Sequence, residues 1–225
     1  MAQNTSQLWK DLIRKPGTEF QYRFNVNGVI YDPDAEVEHT FDAGLYENFG
    51  IGNAFTASLT MRLFAADIPR AATIRRYVRL KNGDQTTEWL PKGIFFTNRR
   101  SEDDGYWTIE AYDSMRKAAV VWEPDQALSF PTTMPKAVAE FCRIMGVTLD
   151  KRTALNAAYT IDYPANDYTI LEELQFIAAA HCGNWIITDA GELYLVPLLS
   201  TPPETNLLVS EDGDAIIFGG VRILV

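Results

Sequence analysis

Between Glu19 and Tyr112, apolar and polar residues alternate with a period of two in segment after segment, and most segments end on turn residues. That period belongs to strands that bury one face and wet the other. Phe20, Tyr22, Phe24 and Val26 alternate with Gln21, Arg23 and Asn25. Asn27-Gly28 then supplies the positive-φ pair of a two-residue hairpin, and Val29-Ile30-Tyr31 begins the return strand. Val37, His39 and Phe41 alternate with Glu36, Glu38 and Thr40. Phe55, Ala57, Leu59, Met61 and Leu63 alternate with Ala54, Thr56, Ser58, Thr60 and Arg62. Ile74, Arg76, Val78 and Leu80 lead into the turn Lys81-Asn82-Gly83-Asp84, and Thr86 to Leu90 reads as another strand. Gly93–Asn98 and Tyr106–Ala111 flank a polar turn, Arg99–Gly105. The pattern predicts seven or eight antiparallel strands before residue 113, arranged as a barrel or a sandwich.

Helical signals lie on either side. Ser6 can cap a short helix from Gln7 to Arg14, with Leu8, Trp9, Leu12 and Ile13 on one face and Pro16-Gly17 as its stop. Asp113 can cap Ser114–Val121, and Thr133 a helix with Pro135 in its first turn and Gly146 at its end. Thr169-Ile170-Leu171-Glu172 matches a capping box that opens a helix ending at His181-Cys182-Gly183. Trp185–Thr188 and Glu192–Val196 read as strands joined by Asp189-Ala190-Gly191. Pro197, Pro202 and Pro203 mark a linker, and Leu207–Val225 returns to strand-like sequence around the acidic turn Glu211-Asp212-Gly213-Asp214.

Charge divides the chain at the same place. Of a net charge of -10 over 225 residues, residues 1–120 carry 15 Lys/Arg against 16 Asp/Glu, and residues 121–225 carry 5 against 14. The split is therefore -1 and -9, which marks two different modules. A net-acidic chain is a poor candidate for neutralising nucleic-acid phosphates as its main task. The start, Met1–Gly17, breaks its apolar residues with Lys10, Asp11, Arg14 and Lys15, unlike a signal peptide. No apolar run approaches the roughly 18 residues of a membrane span, so no membrane binding is expected of this chain. Cys142 and Cys182 stand 40 positions apart and outside any CxxC pair, which fits free thiols in a reducing cytoplasm.

No catalytic constellation emerges. Ser114-Met115-Arg116-Lys117 fits S-x-x-K, but the partner motifs S-D-N and K-T-G are absent. Gly50-Ile51-Gly52 precedes a strand pattern rather than a helix, so it lacks the helix N-terminus of a dinucleotide cradle. His181, Cys182 and Cys142 are too few for a structural zinc site, and His39 belongs to the other module. The acidic runs Asp32/Asp34/Glu36/Glu38, Glu102-Asp103-Asp104 and Glu211-Asp212-Asp214 lack EF-hand spacing and read as solvated turns. The expectation is a protein with no catalytic residue, no cofactor and no metal.

Three segments in order carry a resemblance. They are Asn48-Phe49-Gly50-Ile51-Gly52-Asn53-Ala54 with the strand to Leu63, then Glu88–Phe96 with Tyr106–Met115, and then Asp167–Leu174 leading to Gly183-Asn184-Trp185-Ile186 and Gly191–Leu195. Over about residues 20–200 the chain resembles the hub proteins at the tip of bacteriophage tails: the baseplate hub of contractile tails and the N-terminal hub of siphophage tail-associated proteins. The resemblance implies an α+β, mainly β chain. A tail-tube-like antiparallel β-barrel with a short N-terminal helix (1–120) would be followed by a small α+β inserted domain (121–200). Residues 201–225 would be a linker and the first strands of a second barrel, too short to complete it. It also implies a non-catalytic virion protein at the tail tip, made and assembled in the bacterial host cytoplasm. Three copies would form a pseudo-sixfold ring with the tail tube or distal-tail ring on one side and the tip spike or fibre on the other, DNA only passing through the lumen. The candidate ring-interface residues lie on the long strand, Phe55, Ala57, Leu59, Met61 and Leu63, and on the hairpin, Phe95, Phe96, Tyr106 and Trp107. The alternatives are a distal-tail ring protein, a carbohydrate-binding tip module with bare Trp or Tyr platforms, and a hydrolase with paired carboxylates in a cleft.

Overall fold

The structure is a computed structural model. It describes residues 5–35, 37–44, 50–126, 128–163 and 167–198, and the backbone of Ile217–Phe218 and Val221–Arg222. Glu36, Asn48-Phe49, the linker prolines Pro202 and Pro203, and the acidic turn Glu211–Asp214 lie outside the described residues.

The first part of the chain is an antiparallel sheet. After helix α1 (Gln7–Leu12) come β1 (Glu19–Val26), β2 (Val29–Tyr31), β3 (Glu38–Asp42), β4 (Asn53–Ala54), β5 (Ser58–Phe64), β6 (Thr73–Asn82), β7 (Gln85–Thr86), β8 (Leu90–Asp103) and β9 (Tyr106–Tyr112). All but β4 join one sheet of eight strands among the described residues, in the order β2-β1-β6-β8-β9-β5-β3, with β7 added to β6. The alternation drives this arrangement. On β5, Leu59, Met61 and Leu63 are buried while Thr60, Arg62 and Phe64 face out. Asn27 and Gly28 take the left-handed φ values of 50° and 96° that the hairpin requires.

The sheet curls, so that its last strand, β3, comes within side-chain reach of β1, the strand next to the opposite end. His39 of β3 packs edge-on against Tyr22 and Phe24 of β1, with ring centroids 4.4 and 4.9 Å away. Inside the curl a core forms from Phe24, Val26, Leu59, Met61, Leu63, Ile74, Phe95 and Ile109. Helix α1 closes one end by setting Trp9 and Leu12 on Val78, Leu80 and Leu90. Ser6 caps it by accepting from the Trp9 N–H at 3.1 Å, and donates its own N–H and O–H to Glu88 at 2.8 Å.

Three expectations are revised here. Thr86–Leu90 is not one strand: β7 ends at Thr86 and β8 begins at Leu90. The Arg99–Gly105 turn is mostly strand: β8 runs on to Asp103, leaving Asp104-Gly105 as the turn. Cross-strand pairing with β9 at Arg99↔Glu110 through Asp103↔Tyr106 outweighs the polarity of those residues. Likewise Ser114–Val121 forms only a short 3-10 segment, Ser114–Ala118, although Asp113 does cap it.

The second part builds a separate core. It contains β10 (Thr132–Thr133), α2 (Met134–Met145), β11 (Thr160–Ile161), α3 (Ile170–Ala180), β12 (Gly183–Ile187) and β13 (Leu193–Pro197). Gly146 ends α2 in the left-handed conformation, and Thr169 and Glu172 form the reciprocal capping box of α3. Met115, Trp122, Phe141, Leu174, Trp185 and Leu195 lie at the centre of this core, and the Trp185 indole N–H donates to the Leu174 carbonyl at 2.8 Å.

The first part lends β4 to this second sheet, where it runs parallel to β12 in the register Asn53↔Asn184 and Ala54↔Trp185. Backbone bonds from Gly52 N–H to the Gly183 carbonyl and from Phe55 N–H to the Trp185 carbonyl, both 3.0 Å, extend the joint. The β12–β13 turn also meets the curled sheet: Lys92 pairs with Asp189 at 3.0 Å.

Candidate interaction surface

The nine expected ring residues divide by burial. Leu59, Met61, Leu63, Phe95 and Phe55 are buried; Ala57, Phe96 and Trp107 are half-buried; Tyr106 is exposed. Most of them therefore pack the sheet they sit on, and the outward positions on the same strands form its surface. Phe64 is 66% exposed and meets Tyr106 with ring centroids 5.5 Å apart. Arg62 lies over Tyr106 at 4.3 Å.

This pairing of a cation with an aromatic ring recurs across the module. Arg100 lies over Trp107 at 4.7 Å, Lys117 over Phe96 at 4.1 Å and Arg116 over Tyr112 at 5.7 Å. Arg23 of β1 and Arg79 of β6 both lie 4.5 Å from the Trp89 ring centre. Arg23 Nε also binds Asp32 at 2.6 Å, and Arg79 Nε donates to Gln21 at 2.8 Å. Gln21, Arg23, Asp32 and Arg79 with Pro33 and Asp34 surround an open groove of about 570 Å³, in which both guanidinium groups are held by their Nε atoms. Sequence reading passed over Arg23 and Arg79 because they occupy the polar positions of alternating strands. The usable signal was that arginine, rather than lysine, fills those positions beside a loop tryptophan.

The second module carries a patch of opposite character. Tyr168 and Phe176 touch at 5.4 Å between ring centroids, and Phe176 is 54% exposed. Val121 bridges to Thr169 beside them, and Trp122 N–H donates to the Tyr168 carbonyl at 2.9 Å. The exposed carboxylates Glu123, Asp162 and Asp167 flank the exposed Val121, Tyr163 and Tyr168 in sequence.

The reactive residue types are engaged in structure. Ser114 is buried beside the cap made by Asp113, and Lys117 turns to the Phe96 ring. His181 uses both ring nitrogens: Nδ1 lies 2.8 Å from the Ile177 carbonyl, and Nε2 accepts from Asn156 N–H at 2.9 Å. Burial pushes the Cys142 thiol up to about 11, away from the thiolate that reactivity requires. Among the described residues no group of three or more His, Cys, Asp or Glu side chains is placed to hold a metal ion. Among the described residues no helix is long and apolar enough to cross a membrane. Gly50-Ile51-Gly52 leads into β4, with Gly52 at φ +87° against Ala179 of α3.

No protein-family model and no curated protein matches the sequence. Solved structures do match the fold. The 43 kDa tail protein of prophage MuSo2 from Shewanella oneidensis superposes with a TM-score of 0.55 at 11% identity, over 85% of this chain and 59% of that one. A tail protein from Neisseria meningitidis MC58 gives 0.50 at 14% identity, over 84% and 58%. The Francisella PdpA–VgrG complex gives 0.50 at 11% identity, over 81% and 32%. The chain thus shares its fold with two tail proteins, one of them from a prophage, and with a chain of the PdpA–VgrG complex, and spans less than two thirds of the length of each.

Proposed function

We propose that this protein is a non-catalytic structural component of a bacteriophage or prophage tail, forming the hub ring that joins the tail tube to the tip. The fold shared with two tail proteins over more than four fifths of the chain carries the reading. The curled sheet is, on this view, the tail-tube-type unit, and the module of α2, α3 and β12–β13 is the inserted domain. Three copies complete a ring, so that six-fold and three-fold parts of the tail meet. Its partners are other copies of itself, the tube or distal-tail ring above and a spike or fibre below.

The surface supports an assembly role. Arginine, tyrosine and tryptophan dominate the energetics of protein interfaces, and this module sets them together on its outside. A carbohydrate-binding tip module finds no support among the tryptophans. Trp89 and Trp107 are overlaid by arginines, and Trp9, Trp122 and Trp185 are buried, so no tryptophan offers a bare platform.

Deleting the gene in frame from the phage or prophage that carries it tests the role. Heads without joined, functional tails are expected, with rescue by the gene in trans. Infectious particles of normal morphology would overturn it.

A further inference from the structure

The Arg23–Trp89–Arg79 shelf, whose rim also carries Asp32 and Asp34, presents two guanidinium groups, and the patch around Tyr168 presents carboxylates beside aromatic rings. Arg23 is held by Asp32 and Trp89, and Arg79 by Gln21 and Trp89. Among the described residues, the Nη nitrogens of both have no hydrogen-bonded partner. Each guanidinium is therefore oriented through Nε and by stacking, and its outer fork remains available. Such a fork matches a carboxylate in two-point geometry, and its side-chain entropy is already partly lost.

The other half is on the second module. Glu123, Asp162 and Asp167 are exposed and form no ion pair among the described residues. Of these, Glu123 and Asp167 flank the exposed Val121 and Tyr168, which the Val121–Thr169 bridge and the bond from Trp122 N–H to the Tyr168 carbonyl bring together beside Phe176. Exposed apolar rings rimmed by carboxylates are an unfavourable surface to leave in water and a good one to set against arginines on an indole. The module charges of -1 and -9 have the same sense: the acidic part of one chain is better placed beside the nearly neutral sheet than beside another acidic part.

We propose that the shelf of one copy binds the acidic aromatic patch of a second copy. Because the two surfaces differ, the contact is head-to-tail, the kind that closes into a ring when the rotation allows it. This names the subunit contact of the proposed ring and rests on that reading.

The test is a charge swap in the full-length protein. One variant combines Arg23→Gln with Arg79→Glu; the other combines Glu123→Arg with Asp167→Arg. All four positions lie on the surface or half-buried, and circular dichroism with thermal unfolding checks that both variants keep the fold. Mass is read by light scattering at low and high salt. Wild type is expected to assemble, and more weakly as salt screens the contact. Each variant alone is expected to associate at least about tenfold more weakly. Mixed one to one, they are expected to associate more strongly than either does alone through matched shelf–patch contacts, while a ring of three keeps one mismatched contact and stays weaker than wild type. Assembly of either variant alone at wild-type strength would overturn this contact and leave the ring reading intact. A wild type that is monomeric at every salt concentration would overturn both.

Discussion

Asp113 and Ala57 hold each other by two reciprocal hydrogen bonds. Asp113 N–H donates to the Ala57 carbonyl at 3.0 Å, and Ala57 N–H donates to Asp113 Oδ2 at 3.1 Å. The other carboxylate oxygen accepts from Met115 N–H at 2.9 Å. One side chain thus ties the entry of β5 to the exit of β9 and starts the 3-10 segment that feeds Met115 and Ala118 into the second core.

Burial pushes the Asp113 carboxyl up to about 7, with the two N–H donors acting in the opposite direction. A carboxyl raised in the folded state binds its proton more tightly there than when unfolded. Its contribution to stability is therefore full below about pH 4 and is lost as pH rises through 7. The loss is on the order of a few kcal/mol. Urea midpoints at pH 4.5, 6 and 8 should fall with pH in wild type and stay flatter in Asp113→Asn. The same slope in both would contradict the assignment.

Gly52 is the point where the first part of the chain threads beneath α3. A Cβ there would stand 2.9 Å from the Ala179 Cβ, on a backbone at φ +87°. Gly52→Ala should cost about 2–3 kcal/mol, from strain and overpacking together. Gly28 has a similar φ of +96° but nothing within 4 Å, so Gly28→Ala should cost roughly 1 kcal/mol. Thermal unfolding of the pair separates the two terms.

Asp150 is held down to about 2, first by the Arg152 side-chain hydrogen bond. A depressed carboxyl contributes stability above its unfolded value near 4, and that contribution disappears as pH falls through 2. Asp150→Asn should show a shallower loss of stability between pH 4 and pH 2, followed by fluorescence. Arg152 also lies over Tyr194 at 4.2 Å, so Arg152→Ala should expose that ring to quenchers as well.

Trp185 is fully buried, and its N–H to the Leu174 carbonyl joins β12 to α3. Trp185→Phe removes the donor that ties β12 to α3 and opens a void. A loss of about 2–4 kcal/mol is expected in chemical denaturation, with loss of near-ultraviolet ellipticity.

Much of the fold was legible because its signals were local. The Asn27-Gly28 hairpin, the Thr169–Glu172 capping box and the Gly146 stop all depend on residues a few positions apart, and each formed as expected. The alternating strands were equally readable, since one face of each must be dry. What was not legible came from pairing across the chain. Asn53-Ala54 pairs with a strand about 130 residues away, so the long alternation read from Phe55 to Leu63 is cut at its start. Polar Arg99–Asp103 is strand only because β9 lies beside it. For the surface, periodicity found the strands but not the outward-facing side. It picked Leu59, Met61 and Leu63, which face the core, whereas Arg23, Arg79 and Trp89 meet only once β1, β6 and the loop before β8 are folded together.

Light scattering of the full-length protein, paired with negative-stain imaging, bears most directly on the proposed hub. An annular particle with the mass of three copies is expected. A strictly monomeric species, with no ring at any protein or salt concentration, would contradict it.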